Sequence, residues 1–155
     1  MANSLASQLL GAWRLTAYIA EGAGGAPIHP LGEDASGYIM YTPDGHVSAC
    51  CMRQDRPKLG STDAMGGTQS ELASLAAGYL SYAGTFSVDE KAGVVTHHLR
   101  VALLPNGLGH DFKRKIILAG DTLELRALAP TLVGGEMRLV RVMWERAEKQ
   151  PASTR

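Results

Sequence analysis

The chain has 155 residues, 45% apolar and 19% charged, and its fifteen basic residues balance fifteen acidic ones. That length suits one domain around one core, and zero net charge argues against nucleic acid or an anionic membrane surface as the main partner. No apolar run approaches the roughly 20 residues that span a bilayer, and the start, MANSLASQLL, lacks the basic residues and long apolar stretch of a signal peptide.

Residues 4–10 (SLASQLL) predict a short helix with Ser4 as its N-cap. GAWRLTAYIA alternates, putting Trp13, Leu15, Ala17 and Ile19 on one face and Arg14, Thr16 and Tyr18 on the other. A Gly/Pro loop, EGAGGAPIHPLGED, follows. SGYIMYT and HVSACCMR flank Pro43-Asp44-Gly45, which suits a three-residue hairpin loop. Cys50 and Cys51 are the two cysteines; neighbours on a strand point apart and do not easily bond to each other. With no CxxC and no disulfide framework, the expected setting is reducing and cytoplasmic, and small apolar filler is the expected role of both thiols.

QDRPKLGSTDAMGG is irregular, and TQSELASLAAGYLSY (68–82) predicts a helix. Thr68 and Glu71 fit a capping box, and Leu72, Leu75, Ala76, Tyr79 and Leu80 fit an apolar stripe. The stretch from Gln54 to Tyr82 is therefore the expected lid. GTFSVD, VVTHHLRVALL, HDFKRKIIL, DTLELRAL and MRLVRVMWER read as strands, and residues 148–155 as a disordered tail to a single domain over residues 1–147. About eight strands at short, even spacing imply an antiparallel, all-β sandwich or closed barrel. A barrel of that size either fills its interior or holds one small ligand.

Gly11-Ala12-Trp13 just after a short helix resembles the Gly-x-Trp signature of lipocalins. GYIMYTPDGHVSA, MRQDRP, YAGTFSVDEKAGVVTHH and LPNGLG together resemble bacterial and fungal lipocalin-like domain proteins over nearly the whole chain. The resemblance implies an eight-stranded antiparallel barrel with an internal cavity, a short N-terminal helix and one inserted helix. It also implies that Trp13 sits at the closed end beneath an arginine of the last strand, Arg141 or Arg146. Where this family has a bulky aromatic after Pro-Asn, the chain has Gly107, a departure that reshapes the cavity mouth.

Strand register separates inner from outer side chains. The Pro43–Gly45 loop pairs Tyr41 with Val47 and Ile39 with Ala49, and the more apolar face of that hairpin, which carries Ile39, Tyr41 and Arg53, belongs inside. Of the adjacent His97 and His98, His97 shares a face with Val95, Leu99, Val101 and Leu103, so it faces the cavity. A loop over Glu90–Gly93 sets it opposite Phe86. Lys113 and Lys115 want water, which turns Phe112, Arg114 and Ile116 inward. His110 and Asn106 fall near the mouth. Between Arg138 and Arg141 the pattern does not choose.

The inner polar set holds no carboxylate and needs partners, which favours an anionic, enolic or carbonyl- and phenol-rich small molecule. One expectation is a cofactor-independent isomerase, cyclase or lyase in which His97 and Tyr41 move protons and Arg53 and Arg114 stabilise negative charge. The other is a carrier or sensor of a small hydrophobic ligand, with His97 a neutral, hydrogen-bonded filler. Metal-ligand spacing, GxGxxG, P-loop and GxSxG are all missing from the sequence, so no cofactor is expected. His98 and Arg100 read as solvated or as part of a homodimer contact.

Overall fold

The computed structural model describes residues 4–150. Helix α1 (Leu5–Leu9) leads into β1 (Gly11–Gly22), β2 (Ser36–Tyr41) and β3 (His46–Met52). Helix α2 (Gln69–Ala77) precedes β4 (Tyr79–Asp89) and β5 (Val94–Ala102). A single 3₁₀ turn at Pro105–Gly107 leads to β6 (Asp111–Ala119), β7 (Thr122–Ala127), β8 (Thr131–Val133) and β9 (Glu136–Arg146). All pairings are antiparallel. The sheet runs β1 to β7 and then β9, and β9 pairs back with β1, closing an eight-stranded barrel. The short β8 is an extra strand hung on β9, which the sequence pattern did not distinguish from loop. Residues 148–150 carry no regular structure, and residues 151–155 of the expected tail lie outside the described residues. Among the described residues no helix is long and apolar enough to cross a membrane.

Local chemistry sets the register. At the β2–β3 turn, Gly45 N–H donates to the Thr42 carbonyl at 3.1 Å with φ at 87°, a conformation glycine adopts without a Cβ clash. The turn pairs Tyr41 with Val47 and Ile39 with Ala49. Thr68 accepts from Glu71 N–H, and Glu71 accepts from Thr68 N–H, so the capping box starts α2. The helix stops at Ala77, however, five residues short of the expected end. Tyr79, Leu80 and Tyr82 belong to β4, where the alternation of YLSYAGTF continues into the next strand. None of α2 is buried; its leucines lie on the surface of the mouth rather than in the core.

Two bulges change which side chains look inward. In β1 the pairing shifts between Leu15 and Ala17, making Thr16 the extra residue. Beyond it Tyr18 and Ala20, not Ala17 and Ile19, share the inner face with Val142 and Val140, which corrects the strict alternation expected for this strand. In β5 the shift falls at Arg100, opposite Ala83/Gly84. Gly84 is required there: a Cβ would stand 1.9 Å from the His98 carbonyl oxygen.

One end of the barrel is plugged. Ser4 caps α1, and Glu90 accepts from the Leu5 and Ala6 amides at 2.8 and 2.9 Å. Trp13 is fully buried and donates Nε1–H to the Leu9 carbonyl at 2.8 Å. Arg146 lies 3.9 Å over the Trp13 ring and donates to the Leu10 and Gln8 carbonyls, at 2.9 Å each. The structure thus selects Arg146 for this role. Arg141 faces outward, paired with Glu21 and Glu124, and Arg138 faces inward near the opposite, open end.

Candidate functional site

The open end gathers the end of β1, the loop to β2, the segment after β3, the start of β4 and the β5–β6 connection. There a recess of about 280 Å³ is walled by Leu80, Tyr82, Leu99, Leu103, Asn106 and Phe112, among others. Gly107 forms part of the wall, and a Cβ on it would come within 3.1 Å of Leu99 Cδ2 and 3.5 Å of Phe112 Cζ. The missing side chain therefore leaves the recess its width.

Behind the recess sits a polar chain. His97 is 0% exposed; its Nε2 is 2.8 Å from the Tyr41 hydroxyl and its Nδ1 is 3.0 Å from the Tyr82 hydroxyl. The Glu90–Gly93 turn sets Phe86 opposite His97, and Phe86 packs edge-on against Tyr41 at 4.9 Å. Tyr82 meets Phe112 edge-on at 5.5 Å, and the Arg114 guanidinium lies 5.4 Å from that same ring. Burial, reinforced by the positive charge of Arg114, pushes His97 down to about 3, so the imidazole is neutral at ordinary pH. Burial likewise raises Tyr18, Tyr41 and Tyr82, against a smaller lowering by Arg114, and pushes the inward Cys51 thiol up to about 12. The interior thus holds uncharged phenols, a thiol and imidazole, with Arg114 the one charge felt by all four ring groups.

Tyr82 escaped the sequence reading because it was assigned to the helix, and Tyr18 because the Thr16 bulge reverses its face. The even continuation of YLSYAGTF into a strand was a usable signal for Tyr82; no local signal marks the bulge.

The other residues expected at the site divide. Leu99 and Phe112 line the recess, and Asn106 sits on its rim in the 3₁₀ turn. Ile39 is buried but pairs with Trp13 toward the plug, away from the recess. Arg53 does not face inward: β3 ends one residue earlier, and Arg53 forms a two-pronged pair with Asp55 in solvent, at 2.9 and 2.8 Å. Val101 is also outside, 62% exposed, because the extra residue at Arg100 flips everything beyond it; it lines a groove on the outer face with Met40, His46 and Arg100. His110 precedes β6 and is exposed. His98 faces outward, held by Asp111 at 2.7 Å and Ser87 at 3.1 Å. Among the described residues no group of three or more His, Cys, Asp or Glu side chains is placed to hold a metal ion.

A barrel plugged at one end and opening at the other onto an apolar recess backed by hydrogen-bonding groups is the architecture of a small-ligand-binding protein. The lipocalin-like domain model matches residues 10–147, and the chain belongs to that family. It is also 32% identical over 95 residues, 57% of this chain and 86% of the other, to a protein of Aspergillus oryzae named as a 4'-hydroxy-3'-methoxypropiophenone carrier protein. Fold and relative together support ligand binding.

Proposed function

We propose that the protein is a carrier that binds a small, oxygenated, partly apolar organic molecule in the recess and against the Tyr41–His97–Tyr82 chain. The observation that carries this reading is the state of His97: both ring nitrogens are already engaged by phenols, and burial keeps the ring neutral. A general acid or base near neutrality needs a free nitrogen and a pKa near the working pH; a binding wall needs neither. The apolar recess would take the ligand's hydrocarbon part, and the phenols and Arg114 its oxygens. The cargo of the Aspergillus relative, an aromatic ketone bearing hydroxyl and methoxyl groups, has that chemistry. With Cys50 and Cys51 as free thiols, such a carrier suits a reducing, cytoplasmic setting.

A second reading, proton-transfer catalysis of isomerase, cyclase or lyase type, draws on the same chain, since exchanging the His97 tautomer moves a proton from one phenol toward the other. Native mass spectrometry of the purified protein, followed by incubation with the ligand it retains, separates the two. Recovery of the ligand unchanged supports the carrier; its consumption with turnover replaces the carrier by the enzyme.

A further inference from the structure

The hydrogen-bond inventory of the barrel interior is unbalanced toward donors. Neutral His97 has one N–H and one bare nitrogen, and Tyr41 and Tyr82 have one O–H each. Three protons serve the two bonds at 2.8 and 3.0 Å, so one phenolic proton is left over. Tyr41 is sealed in the core at 1% exposure, whereas Tyr82 borders the recess. The spare proton is therefore useful on Tyr82, with Tyr41 donating to Nε2 and Nδ1–H donating to the Tyr82 oxygen. Trp144 Nε1, buried on the inner face, has no acceptor among the described residues. Arg114, on the inner face of β6 between buried Val95 and Ala127, has no carboxylate partner among the described residues and makes one bond, to the Lys113 carbonyl at 3.0 Å. The buried charged residue beside these, Arg138, pairs with Glu136, which is largely exposed. The interior thus offers a cation and spare donors and supplies no anion.

We infer that the barrel takes its cargo as an anion, the ionised oxygen paired with Arg114 and hydrogen-bonded by the Tyr82 hydroxyl, while the apolar part fills the recess beside Phe112. This rests on the carrier reading and names the form of the ligand it carries: a phenolate, enolate or carboxylate rather than the neutral molecule. A phenol para to a carbonyl suits it, because the carbonyl withdraws charge and brings the phenol below the usual value of about 10. The protein's own interior groups stay out of the titration. Facing Arg114's interior are Tyr18 from β1, Tyr41 from β2, Cys51 from β3, Tyr82 from β4, His97 from β5 and Arg138 from β9. Of these His97 sits at about 3, Cys51 at about 12, and the tyrosines are raised.

The test is calorimetric titration of the wild-type protein with 4'-hydroxy-3'-methoxypropiophenone, the relative's cargo, and with its methyl ether, which cannot ionise. It runs between about pH 6 and pH 9, where none of the interior groups ordinarily exchanges a proton once shifted this way. Phenol binding is expected to tighten about tenfold per pH unit up to the phenol's own pKa and then level off. The ether should bind roughly 10–100-fold more weakly at the plateau, with no pH dependence. Arg114→Gln should abolish the rise and Arg114→Lys retain it; Tyr82→Phe should weaken phenol binding roughly 3–10-fold. Should Arg114→Gln fail to fold, the phenol–ether comparison on the wild type and Arg114→Lys decides. Equal binding of phenol and ether, affinity that falls above the phenol's pKa, or a rise that survives Arg114→Gln overturns the anion inference and leaves the carrier standing. No binding of either compound removes the carrier reading and this inference with it.

Discussion

His97 is expensive to charge, and that cost is visible in stability. Its ordinary value of 6.5 falls to about 3 in the folded protein, chiefly through burial. Between these values the unfolded chain takes up a proton that the folded chain refuses, so acid favours unfolding. Stability is fully retained above pH 6.5 and falls as the pH drops toward 3, by a few kcal/mol in all, on the order expected for a shift of this size. Glu124, lowered to about 2 by its bond to Arg141, adds loss of the same sign only below its ordinary 4.5. The interval from 4.5 to 6.5 therefore isolates the histidine. Urea denaturation of the wild type and of His97→Gln over that interval should show a slope in the first and a much flatter line in the second; parallel lines would place His97 in contact with water.

At the scale of elements, the β4–β5 pair positions the site. β4 supplies Tyr82 and Phe86, β5 supplies His97 and Leu99, and the bulge between them turns Val101 out while keeping Leu99 in. Gly84→Ala pushes a Cβ against the His98 carbonyl and should destabilise by at least about 2 kcal/mol, as overpacking against backbone does; a melt unchanged by the substitution would mean that the strands can slide apart at no cost. The segment before β4 behaves differently. Residues 54–67 are mostly exposed and irregular, and α2 buries nothing, so few contacts resist local opening. Its amides should exchange with deuterium far faster than those of β4 and β5. Bound ligand should slow them if this segment closes over the recess, and slow exchange without ligand would make it a fixed wall.

For the molecule as a whole, closure carries the design. Pairing β9 with β1 removes both sheet edges along the barrel, and the plug of α1, Trp13 and Arg146 seals one end, so a ligand enters from the other. Trp13→Ala removes the fully buried centre of that plug and should cost about 3–5 kcal/mol, read as a lowered melting temperature. Binding in the recess should survive in the fraction that stays folded, because the recess lies at the opposite end.

The sequence by itself determined the strand count of the barrel, the two helices, the β2–β3 register and the inward turn of His97, because each follows from a local rule. Turn residues fix a hairpin, and an apolar majority on alternate positions fixes a face. What only the tertiary structure decided depends on contacts between strands distant in sequence. The bulges at Thr16 and Arg100 arise where neighbouring strands must curve around the barrel, and they moved Tyr18 in and Val101 out. The choice of Arg146 over Arg141 was settled by which one reaches Trp13. Arg53 was lost to Asp55 because its strand ends before it. Tyr82 joined the site because the sheet claimed residues that helical periodicity also fitted. Alternation reports the face of a residue only while the strand keeps step with its neighbours, and closing eight twisted strands makes some of them miss a step.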